Sequence, residues 1–224
     1  MKHQQIKNYA SFLLLAFSIV LCGCTQSGQG IKRIITVTIE PLRYFTEAIV
    51  GDKFEVITMV PKGGNPETYE PTVQQMMALG GSDLYIKVGS MGFEHTWMKK
   101  LQDNAPHTII VDSSEGIVPQ ESSEGINDPH TWMSCQNAVI IARNIYRALA
   151  QINKQDSLYF KANLEVLITK IRDTDTAIRE KLTKEKSTSF LIYHPVLTYF
   201  AKEYGLKQIH IDCLLYTSDA ADEE

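Results

Sequence analysis

Short runs of apolar, often β-branched residues alternate along this chain with longer segments in which apolar side chains recur every three or four positions. The first pattern predicts a β-strand and the second an amphipathic helix. The predicted strands lie at residues 34–39, 54–60, 83–88, 108–111, 190–193 and 208–211. The predicted helices lie at residues 41–50, 72–79, 93–101, 137–151, 158–182 and 196–204. Such alternation is typical of α/β proteins with parallel sheets.

The helix predicted at residues 158–182 is unusually long and divides this pattern into two parts. We therefore predict an N-terminal α/β lobe over residues 32–156, a linking helix over 157–185, and the start of a C-terminal α/β lobe over 186–212. A parallel sheet needs helices on both faces, so the second lobe is predicted to be incomplete.

The N-terminal segment predicts a bacterial lipoprotein signal peptide over residues 1–23. Basic residues precede an apolar run at residues 9–21, which is too short for a lasting membrane-spanning helix. The run ends in Leu-Cys-Gly-Cys, which resembles the box in which a small residue precedes the lipidated cysteine. We expect a lipid anchor on Cys24 and a polar tether over residues 24–31. An ordinary signal peptide with an incidental cysteine is the alternative.

Composition and charge narrow the class of function. The chain has 22 Lys and Arg against 26 Asp and Glu, a net charge of -4, and a pI near 5.9. Proteins that bind nucleic acid need a basic surface, so no nucleic-acid partner is expected. A mean hydropathy of -0.14 excludes a polytopic membrane protein.

Familiar catalytic motifs are missing from the sequence. It contains no P-loop, no G-x-G-x-x-G before a helix, no G-x-S-x-G and no H-E-x-x-H. Four cysteines are too few, and too scattered, for a structural zinc site of several thiolates. A disulfide between Cys135 and Cys213 is possible by count, but no pattern supports it.

Two histidines lie at positions where α/β folds usually bind ligands. His130 lies between a loop and the start of a helix, and His194 comes directly after the strand predicted at residues 190–193. Open α/β sheets bind ligands at the carboxyl ends of their strands, and a neutral imidazole nitrogen suits borderline metals. Taken alone, each histidine has a capping or other polar role as its alternative.

Four segments carry a resemblance to a known family. They are PKGGNPETYEPT at residues 61–72, GSMGFEHTW at 89–97, DPHTWMS at 128–134 and YHPVLTYFAKEYGL at 193–206. These segments are similar to motifs of the ZnuA-like group of substrate-binding lipoproteins, which serve ABC importers of zinc and manganese. The resemblance extends over about residues 32–211 and implies a two-lobed substrate-binding protein.

The resemblance also implies a metal site between the lobes. Two of the family's histidines correspond to His130 and His194, and Glu67 stands where the family usually has a third. Glutamate binds zinc or manganese through oxygen, so Glu67 is expected to be a ligand; a lost ligand replaced by water is the alternative. The fourth ligand is expected to be an acid from the second lobe, beyond Asp212. Raw affinity favours Zn²⁺, with Mn²⁺ as the alternative.

The function implied by the resemblance is capture of a divalent transition metal outside the cytoplasm and its delivery to an ABC transporter permease. The protein would be held at the membrane by its lipid anchor. No catalysis is expected, because four protein ligands leave no open coordination position. A metallohydrolase, a surface adhesin or interaction lipoprotein, and a truncated chain that binds no metal tightly are the alternatives.

Residues 213–224 share nothing with the family. This segment resembles the translated adapter sequence found at the ends of some gene models, so we predict a non-native tail. A natural short acidic tail is the alternative.

Overall fold

Strands and helices alternate through residues 32–121 and 127–211, which are the residues that the computed structural model describes. The strands are β1 (Arg33–Ile39), β2 (Phe54–Val60), β3 (Ser82–Lys87), β4 (Ile109–Asp112), β5 (Ser189–Ile192) and β6 (Lys207–His210). The helices are α1 (Glu40–Val50), α2 (Val73–Gly80), α3 (Gly92–Asn104), α4 (Cys135–Ile152), α5 (Ser157–Leu182) and α6 (Thr198–Tyr204). A short 3₁₀ turn, Thr131–Met133, precedes α4. Every predicted element is present, and only its ends differ, by a few residues.

The larger sheet has the strand order β2-β1-β3-β4, and all of its strand pairs are parallel. Across the sheet, β2 lies on one side of β1, whereas β3 and β4 lie on the other side, so the chain reverses its direction between β2 and β3. Right-handed crossovers therefore place α1 on one face of the sheet and α2 and α3 on the other. Consistent with this, α1 packs against α4 and α5, while α2 packs against α3. The predicted parallel α/β architecture is confirmed.

The two central strands carry the core. Ile35 and Val37 of β1, together with Leu84 and Ile86 of β3, are fully buried. Helices cover both faces of these strands, so Thr36 and Thr38, which alternate with the apolar residues of β1, are fully buried as well. Burial of these side chains away from water is the main force that holds the sheet and helices together.

Helix α5 connects the larger sheet to a second one. Its 26 residues span about 39 Å at about 1.5 Å per residue. The first half is anchored by an apolar face, and its buried residues end at Ile171. Beyond α5, β5 and β6 pair in parallel. Two parallel sheets joined by a long helix are thus observed, as predicted, while the exact lobe boundaries stay a prediction.

Three sequence predictions fall on residues outside the described ranges. These are the signal peptide and tether with Cys24, the tail at 213–224, and Cys213 as a disulfide partner. Cys135 forms no disulfide with any described residue. Across residues 32–121 and 127–211, no helix combines the length and the apolar character needed to cross a bilayer.

Candidate metal centre

A cavity of about 940 Å³ lies at the carboxyl ends of the strands of both sheets. Its walls come from the loops after β2, β3, β4 and β5, from the start of α3, and from the last residue of β6. The lining residues are Asn65, Pro66, Glu67, Ser90, Met91, Gly92, His95, Asn127, Asp128, Pro129, His130, Tyr193, His194, Pro195 and His210. Parallel strands end at the same edge of their sheet, so their following loops collect there. The three predicted ligands, Glu67, His130 and His194, therefore line one cavity.

The ring of His130 is held in place by Asp128. Oδ1 of Asp128 accepts a hydrogen bond from the backbone N–H of His130 at 2.9 Å and lies 2.6 Å from the ring Nδ1. A proton on Nδ1 makes this second contact a hydrogen bond and leaves the lone pair of Nε2 available. Metal-binding histidines are commonly oriented in this way by a carboxylate on the other ring nitrogen.

Asp128 is buried next to this ring, with 2% of its surface exposed. Burial raises the pKa of its carboxyl, but the His130 ring, the Thr198 hydroxyl and the His130 N–H lower it more, so the net pKa is below the ordinary value. The Oδ2 atom and the Thr198 Oγ1 are both buried, and neither has a well-aligned hydrogen bond to another described residue. The ionised carboxylate adds negative charge behind His130, which favours a cation in the cavity.

His194 approaches His130 from the second sheet. It is the second residue after the end of β5, it is exposed, and it lines the cavity. The two ring centroids are 5.7 Å apart, and the ring planes are almost perpendicular at 85°. Two imidazoles on one tetrahedral zinc, with Zn–N bonds of about 2.0 Å, place their centroids about 5 Å apart. The separation of His130 and His194 therefore fits a shared metal ion.

Glu67 lies on the loop after β2, against the first turn of α3. The backbone N–H of Glu67 donates to Asn65 Oδ1 at 2.9 Å, and Phe93 N–H donates to the Pro66 carbonyl at 2.8 Å. A Cβ atom added to Gly92 would lie 1.8 Å from Glu67 Oε2 and 3.3 Å from its Cα. Glycine at position 92 is thus what lets this loop dock so closely on the helix.

These side chains do not yet form one coordination sphere. Among residues 32–121 and 127–211, no three His, Cys, Asp or Glu side chains are close enough together to hold a metal ion. The structure brings His130 and His194 together and places Glu67 on the wall of the same cavity. The ligand role of each of the three stays a prediction.

Comparison with known proteins identifies the family. The family profile described as "ZnuA: Zinc-uptake complex component A periplasmic" matches residues 35–220, which is more than half of the chain. The chain belongs to this family. The matched range runs past Asp212, so the non-native origin of residues 213–224 stays a prediction.

Relatives of the ZnuA family match most of the chain. The "High-affinity zinc uptake system protein ZnuA" of Bacillus subtilis is 28% identical over 226 residues, covering 89% of this chain and 69% of the relative. The "Manganese ABC transporter substrate-binding lipoprotein PsaA" of Streptococcus pneumoniae is also 28% identical, over 224 residues, covering 92% of this chain and 72% of the relative.

Solved structures of ZnuA-family proteins have the same fold. A zinc-bound deletion mutant of ZnuA superposes with a TM-score of 0.76 at 34% identity, covering 80% of this chain and 69% of the other. A manganese-bound mutant of the periplasmic metal binding protein from Candidatus Liberibacter asiaticus superposes with a TM-score of 0.74 at 26% identity, covering 80% and 68%.

Glu94, in the segment that resembles the family's acidic motif, is 4% exposed and faces away from the solvent. Its carboxylate accepts hydrogen bonds from the Thr38 hydroxyl at 2.6 Å, from Val88 N–H at 2.6 Å and from Gly89 N–H at 2.7 Å. The Thr38 oxygen in turn lies 2.7 Å from the Tyr85 hydroxyl, which donates to it. Glu94 therefore fixes the loop after β3, one wall of the cavity, as a structural residue.

Two residues that line the cavity were not predicted from the sequence. Asp128 had no predicted role, because a motif cannot show that its side chain contacts the ring of His130, two residues later. His210, which lines the cavity at the end of β6, was not predicted either. The strand predicted at residues 208–211 extends beyond His210, whereas in the structure β6 ends at His210, at the carboxyl end where parallel strands present ligands.

Proposed function

We propose that this chain captures a divalent transition metal in the cavity and hands it to the permease of an ABC importer. The observation that carries the proposal is the convergence of His130 and His194, whose ring centroids lie 5.7 Å apart. One histidine comes from the loop after β4 and the other follows β5, so a metal bound by both would bridge the two sheets. The family names, zinc-uptake and manganese substrate-binding proteins, support the same cargo.

The donor set supports a transition metal rather than Ca²⁺ or Mg²⁺. Imidazole nitrogens suit zinc and other late first-row ions, whereas calcium and magnesium take oxygen ligands. Asp128 holds the His130 ring through Nδ1 and leaves Nε2 for a metal, which reduces the ordering needed when a metal binds. Glu67 is the third ligand in this proposal and supplies oxygen. Zn²⁺ is the preferred cargo, because affinity at a given site is higher for zinc than for manganese.

The proposed role is binding and transfer, without catalysis. The protein would act outside the cytoplasm, anchored through a lipid on Cys24, so that its cavity stays near the permease at the membrane surface. A metallohydrolase would instead keep an open coordination position and a general base beside the metal.

A metal competition titration tests this function. The chain is stripped of metal with a chelator, and Zn²⁺ is then shared between the protein and a chromophoric chelator of known affinity. We expect His130→Ala and His194→Ala each to weaken zinc binding by more than the roughly 10–100-fold that loss of an outer-shell partner costs. The exposed His107, which lies outside the cavity lining, provides the matched control variant His107→Ala.

Two results would overturn the proposal. One is zinc affinity that is unchanged in both cavity variants, which would remove the cavity as the metal site. The other is zinc-dependent hydrolysis of an ester or phosphate substrate that disappears in His130→Ala, which would make the protein a metallohydrolase.

A further inference from the structure

His210 occupies a position on the cavity that the predicted ligand set does not use. It is the last residue of β6, it is half-buried, and it lines the same cavity as Glu67, His130 and His194. A histidine at the carboxyl end of a parallel strand is where an α/β sheet presents side chains to a ligand.

The pairing of β5 with β6 places the end of β6 beside the segment that leads to His194. Ile192 is the register partner of His210, and Ile211 N–H donates to the Ile192 carbonyl at 3.1 Å. His194 lies two residues beyond Ile192, in the loop that follows β5. Both histidines therefore leave the same edge of the small sheet, where two backbone segments are held together by hydrogen bonds.

We propose that His210 is a nitrogen ligand of the cargo metal. This inference rests on the proposed function and deepens it, because it changes the donor set and therefore the metal preference. With His210 the proposed ligands of this chain are three imidazoles and the Glu67 carboxylate, a set of three nitrogens and one oxygen. Without His210 the proposed ligands include only two imidazoles, and the remaining positions fall to oxygen donors.

A nitrogen-rich set favours zinc. Zinc binds readily to imidazole in tetrahedral sites, whereas manganese is better suited by carboxylate, carbonyl and water oxygens. His210 is thereby a residue that determines specificity. It keeps the site selective for Zn²⁺ although Glu67 supplies oxygen.

For His210 to bind the metal, the donor side chains have to move closer together, since no three His, Cys, Asp or Glu side chains of the described residues share one coordination sphere. His194 is exposed and His210 is half-buried at the cavity wall, so the rearrangement needed concerns two side chains of the second sheet that already line the cavity. His130 is the fixed partner, because Asp128 holds its ring. Metal binding would bring the rings of His194 and His210 closer to the His130 ring, so that all three contact one ion.

Zinc and manganese affinities of His210→Gln, measured on the whole chain, test the proposal. Glutamine keeps a polar side chain but removes the imidazole nitrogen. We expect zinc affinity to fall at least about 10-fold, and the ratio of zinc to manganese affinity to fall with it. The matched control is His107→Gln, which changes an exposed histidine outside the cavity lining and should leave both affinities unchanged.

A second variant and a spectroscopic readout separate ligation from a folding defect. His210→Cys supplies a thiolate, another good zinc ligand, and should regain most of the lost zinc affinity. With Co²⁺ as the probe, the visible absorption of the bound metal should change in His210→Gln and gain a thiolate-to-cobalt charge-transfer band in His210→Cys.

The outcomes distinguish this inference from the function on which it rests. If His210→Gln binds zinc as the wild type does while His130→Ala does not, His210 is no ligand but the proposed function stands. If His210→Cys binds no better than His210→Gln and shows no charge-transfer band, the position does not reach the metal and the inference is wrong. If the wild-type chain takes up no metal, the proposed function itself fails.

Discussion

The hydroxyl of Tyr199 donates a hydrogen bond to the backbone carbonyl of Asp128 at 3.2 Å and accepts one from Gln120 N–H at 3.2 Å. Tyr199 lies on α6, five residues after His194, and Asp128 lies two residues before His130. One buried phenol therefore ties together the two segments that carry the converging histidines. Burial also raises the pKa of Tyr199, which keeps the hydroxyl protonated and able to donate.

We predict that Tyr199→Phe lowers the free energy of unfolding by about 2 kcal/mol, because a backbone N–H and a carbonyl lose their partner in a mostly buried place. Urea unfolding monitored by circular dichroism measures this. Tyr193→Phe is the control, since Tyr193 is 73% exposed and should be close to neutral. Zinc affinity should also fall in Tyr199→Phe, and equal stability of the two variants would contradict the assigned role of this contact.

Asp128→Asn should weaken metal binding more than it weakens the fold. The amide has nearly the same shape as the carboxylate, but it removes the negative charge that orients the His130 ring. Loss of such an outer-shell carboxylate typically costs roughly 10–100-fold in metal affinity. The chelator competition titration with Zn²⁺ measures the change. An affinity within experimental error of the wild type would show that Asp128 does not orient a ligand.

Gly92→Ala tests how closely the Glu67 loop docks on α3. The new methyl group would overlap the Glu67 carboxylate and crowd its Cα, so we expect a loss of about 1 kcal/mol and a several-fold loss of zinc affinity. Gly81→Ala is the matched control, because its added Cβ meets no atom closer than 3.7 Å and its φ is negative. Equal effects of the two substitutions on zinc binding would show that the position of Glu67 does not matter.

Glu94 gives a prediction for the pH dependence of stability. Burial raises the pKa of Glu94, although the hydrogen bonds from Thr38, Gly89 and Val88 oppose this shift. The folded protein therefore binds a proton more readily than the unfolded chain. In the pH range between the two pKa values, folding takes up a proton, so this group's contribution to stability increases as the pH falls.

Glu94→Gln removes this titration and also places an amide N–H₂ among backbone donors. We expect the variant to be less stable than the wild type at neutral pH by roughly 1–3 kcal/mol. The difference in the free energy of unfolding between wild type and variant should grow toward about pH 5, because only the wild type gains from protonation. Urea unfolding at both pH values tests the sign. A difference that shrinks as the pH falls would contradict the raised pKa.

The fold could be read from the sequence because its signals are local. The β-branched run of β1, the apolar residues Leu84, Tyr85 and Ile86 of β3, and the apolar stripe of α5 are each patterns within one short stretch of sequence. The candidate site is different, since it depends on contacts between distant loops. No pattern shows that Gly92 admits the Glu67 loop, or that Tyr199 reaches Asp128. His194 could be predicted because its position after a strand is a local feature. His210 lies inside the strand predicted at residues 208–211, and it reaches the cavity because β6 ends there.

The proposed ligands Glu67 and His194 are separate from the residues that hold the larger sheet together. Glu67 and His194 are exposed on loops beyond the strand ends, while Ile35, Val37 and Leu84 are fully buried within the strands. Surface substitutions of this kind usually change folding free energy by less than about 0.5 kcal/mol. In this fold, a single substitution of a loop ligand can therefore change which metal is bound while the free energy of folding stays almost the same.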